Sequence, residues 1–246
     1  MGSNPGDTAL YRFVWRAGGA FRYRVVGREQ AQDAGPAIYV SNHLDALGPI
    51  MSVLSIPVRF HPWVIGEQTD PRRAPRYLYD DFVSPAWHLN GRLGMAVSWA
   101  LSRITVPLLT GLGCVSVDST RHETLPAFRR SLELLTAGEN LLIFPEEASS
   151  PEEPESRLHQ FQCGFIGLCS MYERATGDRL PIYPVAVHAG RKAIAVGQPV
   201  FHENRGDRHV DVQATCDRLR ERVRELYLAL EAGEEQALGK APETKV

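Results

Sequence analysis

The sequence predicts a single α/β domain, in which helices flank a central mixed β-sheet. Short apolar runs alternate with longer periodic segments, a pattern typical of α/β proteins. The chain has 246 residues, of which 43% are hydrophobic and 23% are charged, so it is long enough to bury a large core. No internal repeat and no linker divides it. We therefore expect one domain over residues 1–246.

Charge and cysteine content argue against several classes of protein. The 27 basic and 29 acidic residues nearly cancel, so we expect no nucleic-acid partner. Neither the histidines nor the cysteines show metal-ligand spacing, and we expect no bound metal. The first thirty residues lack the apolar core of a signal peptide, which indicates a cytoplasmic protein. In that compartment we expect reduced thiols at all four cysteines: Cys114, Cys163, Cys169 and Cys216.

Short apolar runs predict the strands, which we place at residues 37–40, 113–117, 141–144, 182–187 and 193–196. Polar residues follow these runs. Asn42 and His43 come after the first, residues 118–121 after the second, and Glu146 and Glu147 after the third. Sites in open α/β sheets form at the carboxyl ends of strands. The sequence thus places a histidine, an arginine and two carboxylates at one sheet edge.

Apolar residues at helical spacing predict helices at residues 44–56, 93–109, 125–135, 165–176 and 214–232. We expect Pro107 to break the second of these. The last is an amphipathic surface helix, followed by a frayed tail over residues 233–246. Residues 59–90 are rich in Pro, Arg, Asp and aromatic residues without a clear period. We interpret them as an irregular insertion, a kind of segment that covers sites.

Two segments are candidates for contact with a membrane surface. Residues 10–16 mix Phe13 and Trp15 with arginines, a composition typical of interfacial helices and also of a helix packed on its own core. The second segment, residues 93–112, is apolar, but Arg103 and Pro107 interrupt it. No uninterrupted apolar run reaches the length of about eighteen residues that indicates a membrane span.

Ordered sequence blocks carry a resemblance to a known family. The blocks read Ser41-Asn42-His43, then Gly113-Cys114-Val115-Ser116-Val117-Asp118, then Leu142-Ile143-Phe144-Pro145-Glu146, then Pro181-Ile182-Tyr183-Pro184-Val185-Ala186. Each alone is common, but their order and spacing are specific. Over residues 37–200 the chain resembles the PlsC-type glycerolipid (lysophospholipid) acyltransferases. These carry Asn-His-x-x-x-x-Asp, Gly-x-x-x-Val/Ile-Asp-Arg, Phe-Pro-Glu-Gly and Val-Pro-Ile-x-Pro-Val-Ala in that order.

The resemblance implies an acyltransferase in which His43 is the general base. The family's histidine takes a proton from an acceptor hydroxyl, which attacks an acyl thioester of coenzyme A or acyl carrier protein. The implied partners are this thioester donor and a lipid-like acceptor such as a lysophospholipid, with no cofactor beyond the co-substrate. The resemblance assigns Asn42, Arg121, Glu146 and Pro184 to substrate binding, and a guanidinium suits a phosphate. A lipid acceptor also implies peripheral association with the inner face of the membrane.

The sequence departs from the family pattern where the histidine should be oriented. Five positions after His43, Gly48 stands in place of the family aspartate, and Glu147 replaces the glycine after Phe-Pro-Glu. We interpret the two changes as linked, with Gly48 leaving space beside the imidazole and Glu147 supplying a carboxylate. Glu147, or alternatively Asp45, is then predicted to orient His43. Asp45 also fits a helix N-cap.

Expected cations are missing as well. Ser119 replaces the arginine after Asp118, Ser149 replaces the arginine of the third block, and Gln162 replaces a lysine in residues 161–164. Arg121 is near enough to replace the first, although it also reads as a solvated residue at a helix start. A neutral hydroxyl or amine acceptor is therefore an open alternative to a phosphate-bearing one.

Two other functions remain open at this point. Loss of the aspartate favours a non-catalytic lipid- or acyl-binding protein on the same fold. A thioesterase, in which His43 activates water, would release free fatty acid without an acceptor. The sequence contains no Gly-x-Ser-x-Gly, P-loop or Gly-x-Gly-x-x-Gly motif, which argues against serine hydrolases, P-loop kinases and dinucleotide-dependent oxidoreductases.

Overall fold

The computed structural model describes residues 12, 16, 18–32, 35–44, 47–117 and 121–234, with backbone alone at residues 47 and 121–124. Within these ranges the chain forms eight strands: β1 (Arg24–Val26), β2 (Ile38–Ser41), β3 (Phe60–Ile65), β4 (Val115–Val117), β5 (Asn140–Ile143), β6 (Pro181–His188), β7 (Ala193–Val196) and β8 (Val200–Phe201).

The α-helices in the same ranges are α1 (Arg28–Gln32), α2 (Leu47–Ser55), α3 (Gly66–Thr69), α4 (Ala74–Leu78), α5 (Ser84–Trp87), α6 (Gly91–Leu112), α7 (Arg121–Thr136), α8 (Gly167–Thr176) and α9 (Arg208–Ala232). A π-helical segment, Tyr79–Val83, joins α4 to α5, and 3-10 turns form at Gly18–Phe21 and Cys163–Ile166.

The chain divides into two compact units that alternate along the sequence. Counting only the described residues, one comprises residue 12 and those within 61–130, and the other comprises those within 15–60 and 131–234. We call the first the central unit and the second the sheet unit. The prediction of one domain over residues 1–246 stays a prediction.

The sheet unit confirms the predicted α/β class with a mixed sheet. Its strand order is β1-β7-β6-β2-β5, with β8 beside β6. Strand β2 runs parallel to both neighbours, and Tyr39 lies opposite Leu142 on β5 and Tyr183 on β6. Strand β7 is antiparallel to β6 and parallel to β1. Every residue of β2, β5 and β7 is buried, which explains their continuous apolar runs.

Helices flank this sheet. Helix α9 packs on β6, β7 and β8, while α2 packs on β6 and α1 on β7. Val223, Leu226 and Leu230 of α9 share a core cluster with Ala186 and Ala195 of the sheet. The helix begins six residues before the predicted position 214. Its start is set by an N-cap, because the Asp207 side chain accepts hydrogen bonds from the N–H groups of His209 and Val210.

The central unit corrects two predictions. Residues 59–90 are not irregular, since they form β3 and several short helices, and β3 runs parallel to β4 with Trp63 opposite Val115. Prolines occupy the first turns of α4 and α5, where the helix needs no hydrogen bond from the missing N–H. These prolines therefore do not prevent helix formation, although in the sequence they suggest irregular structure. Helix α6 also continues through Pro107 to Leu112. Proline frees only the carbonyl of Arg103, an exposed position where solvent can satisfy it.

Helix α6 has an inverted distribution of polarity. Its buried face carries Gly94 and Ser98, while Leu93, Trp99 and Ile104 are more than half exposed. Among the described residues, this helix alone is long and apolar enough to cross a membrane, a weak criterion that buried helices of soluble proteins also meet. Here only 22% of its apolar window is buried inside the protein.

Two of the four cysteines are paired, which corrects the expectation of reduced thiols. Cys163, beside the 3-10 turn, forms a disulfide with Cys216 of α9, and their Cα atoms are 5.5 Å apart. Cys114 and Cys169 are free. Burial raises the pKa of each of their thiols to about 12, so both stay protonated at neutral pH.

We expect removal of this disulfide by Cys163→Ser with Cys216→Ser to lower the free energy of unfolding by about 2–4 kcal/mol, because the bond closes a long loop of the unfolded chain. The bonded residues are 53 positions apart. Thermal unfolding measures the loss, with Cys114→Ser as the control. A thiol count of four in unreduced, denatured protein would contradict the bond. Because disulfides are rare in the cytoplasm, the count also bears on localisation.

Candidate active site

His43 lies at the carboxyl end of β2, directly after Asn42. The imidazole is exposed, and its ring lies edge-on to Phe144 with ring centroids 5.4 Å apart. Its main-chain N–H donates a hydrogen bond to Oε2 of Glu146 at 2.6 Å. The main chain is therefore fixed while the ring remains accessible to a substrate.

Asn42 fixes the end of β2 against β6. Its side chain is buried, its Nδ2 donates to the carbonyl of Val187 at 3.0 Å, and its Oδ1 accepts from the N–H of Val187 at 2.7 Å. The carboxamide thus continues the strand ladder beyond Ser41. Both polar groups of the Asn42 side chain are therefore hydrogen-bonded to main chain, and they fix the backbone directly before His43.

Glu146 joins β2 to the segment that follows β5. Its Oε2 accepts from the N–H of His43, and its Oε1 accepts from the N–H of His159 at 3.1 Å. Glu146 is half-buried and forms a β-bridge with Phe161. Desolvation raises the pKa of its carboxyl, while these two hydrogen bonds and the charges of His159 and Arg220 oppose the rise. Both oxygens accept from N–H groups, so the ionised form fits this site best.

The structure gives the remaining predicted site residues different surroundings. Glu147 is exposed, and its Oε1 accepts a hydrogen bond from Oγ of Ser149 at 3.1 Å. Pro184 is buried in β6 opposite Val40. Asp45 lies outside the described residues, and Arg121 begins α7 with its side chain outside them. The structure therefore brings His43 and Glu146 together directly.

Gly48 contradicts the expectation of open space beside the imidazole. A Cβ at this position would lie 2.1 Å from the carbonyl oxygen of His43 and 2.9 Å from that of Asn42. The volume is filled by main chain, because the first turn of α2 passes against residues 42 and 43. A side chain at position 48 requires this backbone to move, which gives a steric reason for the missing aspartate.

Sequence analysis missed the contribution of α9 to this region. Arg220 Nε donates to the carbonyl of His159 at 3.1 Å, and its Nη2 pairs with Oε2 of Glu153 at 3.2 Å. Arg224 pairs with the other oxygen of Glu153 at 2.7 Å. Cys216, Arg220 and Arg224 recur every four residues, so they share a helix face. The sequence shows this spacing, but it does not show that the helix face contacts His159 and Glu153.

Among the described residues, no group of His, Cys, Asp and Glu side chains is arranged to hold a metal ion. The arrangement instead offers an exposed imidazole beside a fixed strand end. Such a group can accept a proton from a hydroxyl brought within hydrogen-bond distance.

Comparisons with known proteins give likenesses in structure and none in sequence. No protein-family model matches the chain, and no curated protein matches it. The structure is similar to the crystal structure of the 1-acyl-sn-glycerophosphate (LPA) acyltransferase, PlsC, from Thermotoga maritima. The likeness has a TM-score of 0.47 and 15% sequence identity, and it covers 88% of this chain and 78% of that one.

Proposed function

We propose that the protein is an acyltransferase that moves a fatty acyl group from an acyl-CoA or acyl-carrier-protein thioester to an acceptor. The acceptor is a hydroxyl or amine of a lysophospholipid- or glycerolipid-like molecule. The observation that supports this proposal is the exposed imidazole of His43 on a strand end held by Asn42 and Glu146. The sequence blocks that resemble PlsC-type acyltransferases supply the reaction class.

In the proposed reaction, His43 accepts the proton of the acceptor hydroxyl as its oxygen attacks the thioester carbonyl. A tetrahedral oxyanion forms, and N–H groups at the strand ends are the proposed donors to it. The intermediate collapses, the carbon–sulfur bond breaks, and the thiolate takes the proton from the imidazolium. The products are the acylated acceptor and a free thiol. No metal or redox step is required.

A thiol-release assay tests the proposal. Purified protein is given long-chain acyl-CoA, then acyl carrier protein thioester, each with and without lysophospholipid, and the lipid products are identified. Acceptor-dependent thiol release with an acylated lipid product is the expected result. Free fatty acid without an acceptor would indicate the thioesterase. No thiol release with either donor, together with saturable acyl-CoA binding, would favour a second candidate function, a non-catalytic binding protein.

That second candidate is a non-catalytic lipid- or acyl-binding protein. Gly48 favours it, because the backbone of His43 fills the volume that an orienting side chain at that position would need.

We propose further that a carboxylate other than position 48 orients His43, either Glu147 or Asp45. Exchanging that carboxylate for its amide should lower kcat by about 10²- to 10⁴-fold with folding intact, because the imidazole loses the partner of its charged form. Glu147→Gln and Asp45→Asn are assayed in parallel, with exposed Glu152→Gln as the control. Full activity in both variants would contradict this assignment.

Peripheral membrane binding is part of the proposal, and the outward face of α6 is its candidate surface. Trp99 and Ile104 are exposed, and the Arg103 guanidinium lies 4.7 Å from the Trp99 ring centroid. Aromatic and basic side chains together suit a lipid interface. Phe13 and Trp15, the other candidates, lie outside the described residues. Association with the inner face of the membrane from the cytoplasm is proposed on the same basis.

We expect Trp99→Ser with Ile104→Ser to weaken binding to anionic phospholipid vesicles by about tenfold or more, since each change removes exposed apolar area from the lipid contact. Vesicle co-sedimentation measures this effect. Leu125→Ser is the matched control, because Leu125 is 72% exposed but lies on α7. Equal losses in the variant and the control would place the contact elsewhere.

A further inference from the structure

We infer that Arg220, on the C-terminal helix α9, is a positioning residue of the His43 site that acts through Glu146. The inference rests on the proposed function of that site and adds to it an element outside the ordered sequence blocks. Arg220 contacts neither His43 nor Glu146 in any hydrogen bond that the structure shows. Arg220 acts through the chain segment around His159, which contacts both Arg220 and Glu146.

Hydrogen bonds link Arg220 to the segment that holds Glu146. Arg220 Nε donates to the carbonyl of His159, and the main-chain N–H of His159 donates to Oε1 of Glu146. The next residues continue the link, since Phe161 forms a β-bridge with Glu146 and the N–H of Gln162 donates to the carbonyl of Pro145 at 2.8 Å. Arg220 therefore holds the strand-like segment on which the Glu146 carboxylate rests.

The guanidinium of Arg220 is itself anchored. Its Nη2 pairs with Glu153, which Arg224 also binds, so the guanidinium is held between two groups of the same segment. One turn earlier on α9, Cys216 is covalently bonded to Cys163 in the same stretch of chain. The side chain of Arg220 is 29% exposed, which leaves its charge only partly screened.

Arg220 also acts on Glu146 through its charge. Two charged groups face Glu146: His159 from its own segment and Arg220 from α9. The main-chain N–H of His43, at the end of β2, is uncharged and donates a hydrogen bond to it. Burial favours a neutral carboxyl, whereas the positive charge of Arg220 favours the ionised form. A neutral Glu146 would carry a proton on an oxygen that already faces an N–H donor. Protonation would therefore weaken one of the two main-chain contacts of this carboxyl, the one with His43 or the one with His159.

A consequence for the rate follows from this linkage. At acid pH the proposed reaction slows because the general base becomes protonated, and it slows more steeply where Glu146 takes up a proton as well. Removing the charge of Arg220 raises the pKa of Glu146, so the steeper region begins at a higher pH. The loss in kcat/KM should be about 3- to 10-fold at acid pH and should shrink toward neutral pH.

The experiment compares Arg220→Gln, Arg220→Lys and Arg222→Gln. Arg222 lies on the same helix, is exposed and pairs with Glu225, so its variant controls for loss of a helix charge. Carbon-13 NMR follows the Glu146 carboxyl, with Glu146→Gln providing the assignment. We expect its titration to move to higher pH in Arg220→Gln, to stay near that of the wild type in Arg220→Lys, and not to change in Arg222→Gln. The acid side of the rate profile should move in the same direction.

The two readouts separate this inference from the proposed function. If no thioester is consumed by any form, the proposed function fails, while the NMR titration still tests the link to Glu146. An unchanged Glu146 titration in Arg220→Gln overturns the inference. So does a loss of activity that is equal at every pH and accompanied by a lower Tm, since that pattern marks a merely structural residue.

Discussion

Replacing His43 with alanine is expected to lower kcat for acceptor-dependent thiol release by about 10²- to 10⁴-fold, the usual contribution of a general base. Folding should be retained, because the contact that His43 makes with Glu146 uses its main-chain N–H, which alanine keeps. The imidazole is exposed, so its removal leaves no buried cavity. Thermal unfolding and the thiol-release assay measure the two parts of this expectation.

The control for this variant is His209→Ala. His209 is exposed in the first turn of α9, and its main-chain N–H, which alanine retains, serves the cap at Asp207. It should keep full activity. An active His43→Ala protein would remove the proposed base, and a variant that unfolds would mean that the ring supports the fold.

Introducing aspartate at position 48 is expected to damage the protein rather than to restore the family's His–Asp pair. The new Cβ would meet the carbonyl oxygen of His43 at 2.1 Å, and main chain cannot move aside as a flexible side chain can. We expect the free energy of unfolding to fall by about 1–3 kcal/mol or more, with loss of activity, because the His43 backbone shifts from Glu146.

The matched control is Gly164→Ala. A Cβ there meets nothing within 4 Å, so its effect should stay within about 0.5 kcal/mol. Gly48→Ala should share most of the damage, because Cβ itself makes the contact. Chemical denaturation measures all three variants. Greater stability or activity in Gly48→Asp would show that residues 42–48 rearrange freely.

The parts of the fold that were predictable from sequence are the strands of the sheet unit. The run at 193–196 coincides with β7, and the run at 37–40 differs from β2 by one residue at each end. These strands are buried on both faces, so every position favours an apolar side chain and the sequence shows a continuous apolar run. Residues 59–90 gave no such signal, because α4 and α5 each have a proline at the second position and the short helices pack on α6.

The candidate site was predictable only as far as strand ends determine it. His43 and Glu146 follow adjacent parallel strands, and the structure joins them by a hydrogen bond. The obstruction at Gly48 depends on how closely α2 passes the His43 backbone, which spacing along the chain does not encode. Cys163 and Cys216 are far apart in sequence, and the partners of Arg220 lie on a distant segment, so pairwise sequence patterns did not find them.

The strand order also has a consequence for synthesis of the chain. Strand β2 emerges from the ribosome early, but it lies between β5 and β6, and β1 pairs with β7. Strand β2 therefore lacks its first partner until β5 is made at residue 143 and its second until β6 is made at residue 188, and β1 lacks its partner until β7 is made at residue 196. Helix α9, which covers β6 and β7, follows later still. A nascent chain thus exposes its most apolar strands for most of its elongation, so we expect the sheet unit to form only near the end of translation, with a correspondingly long dependence on chaperones.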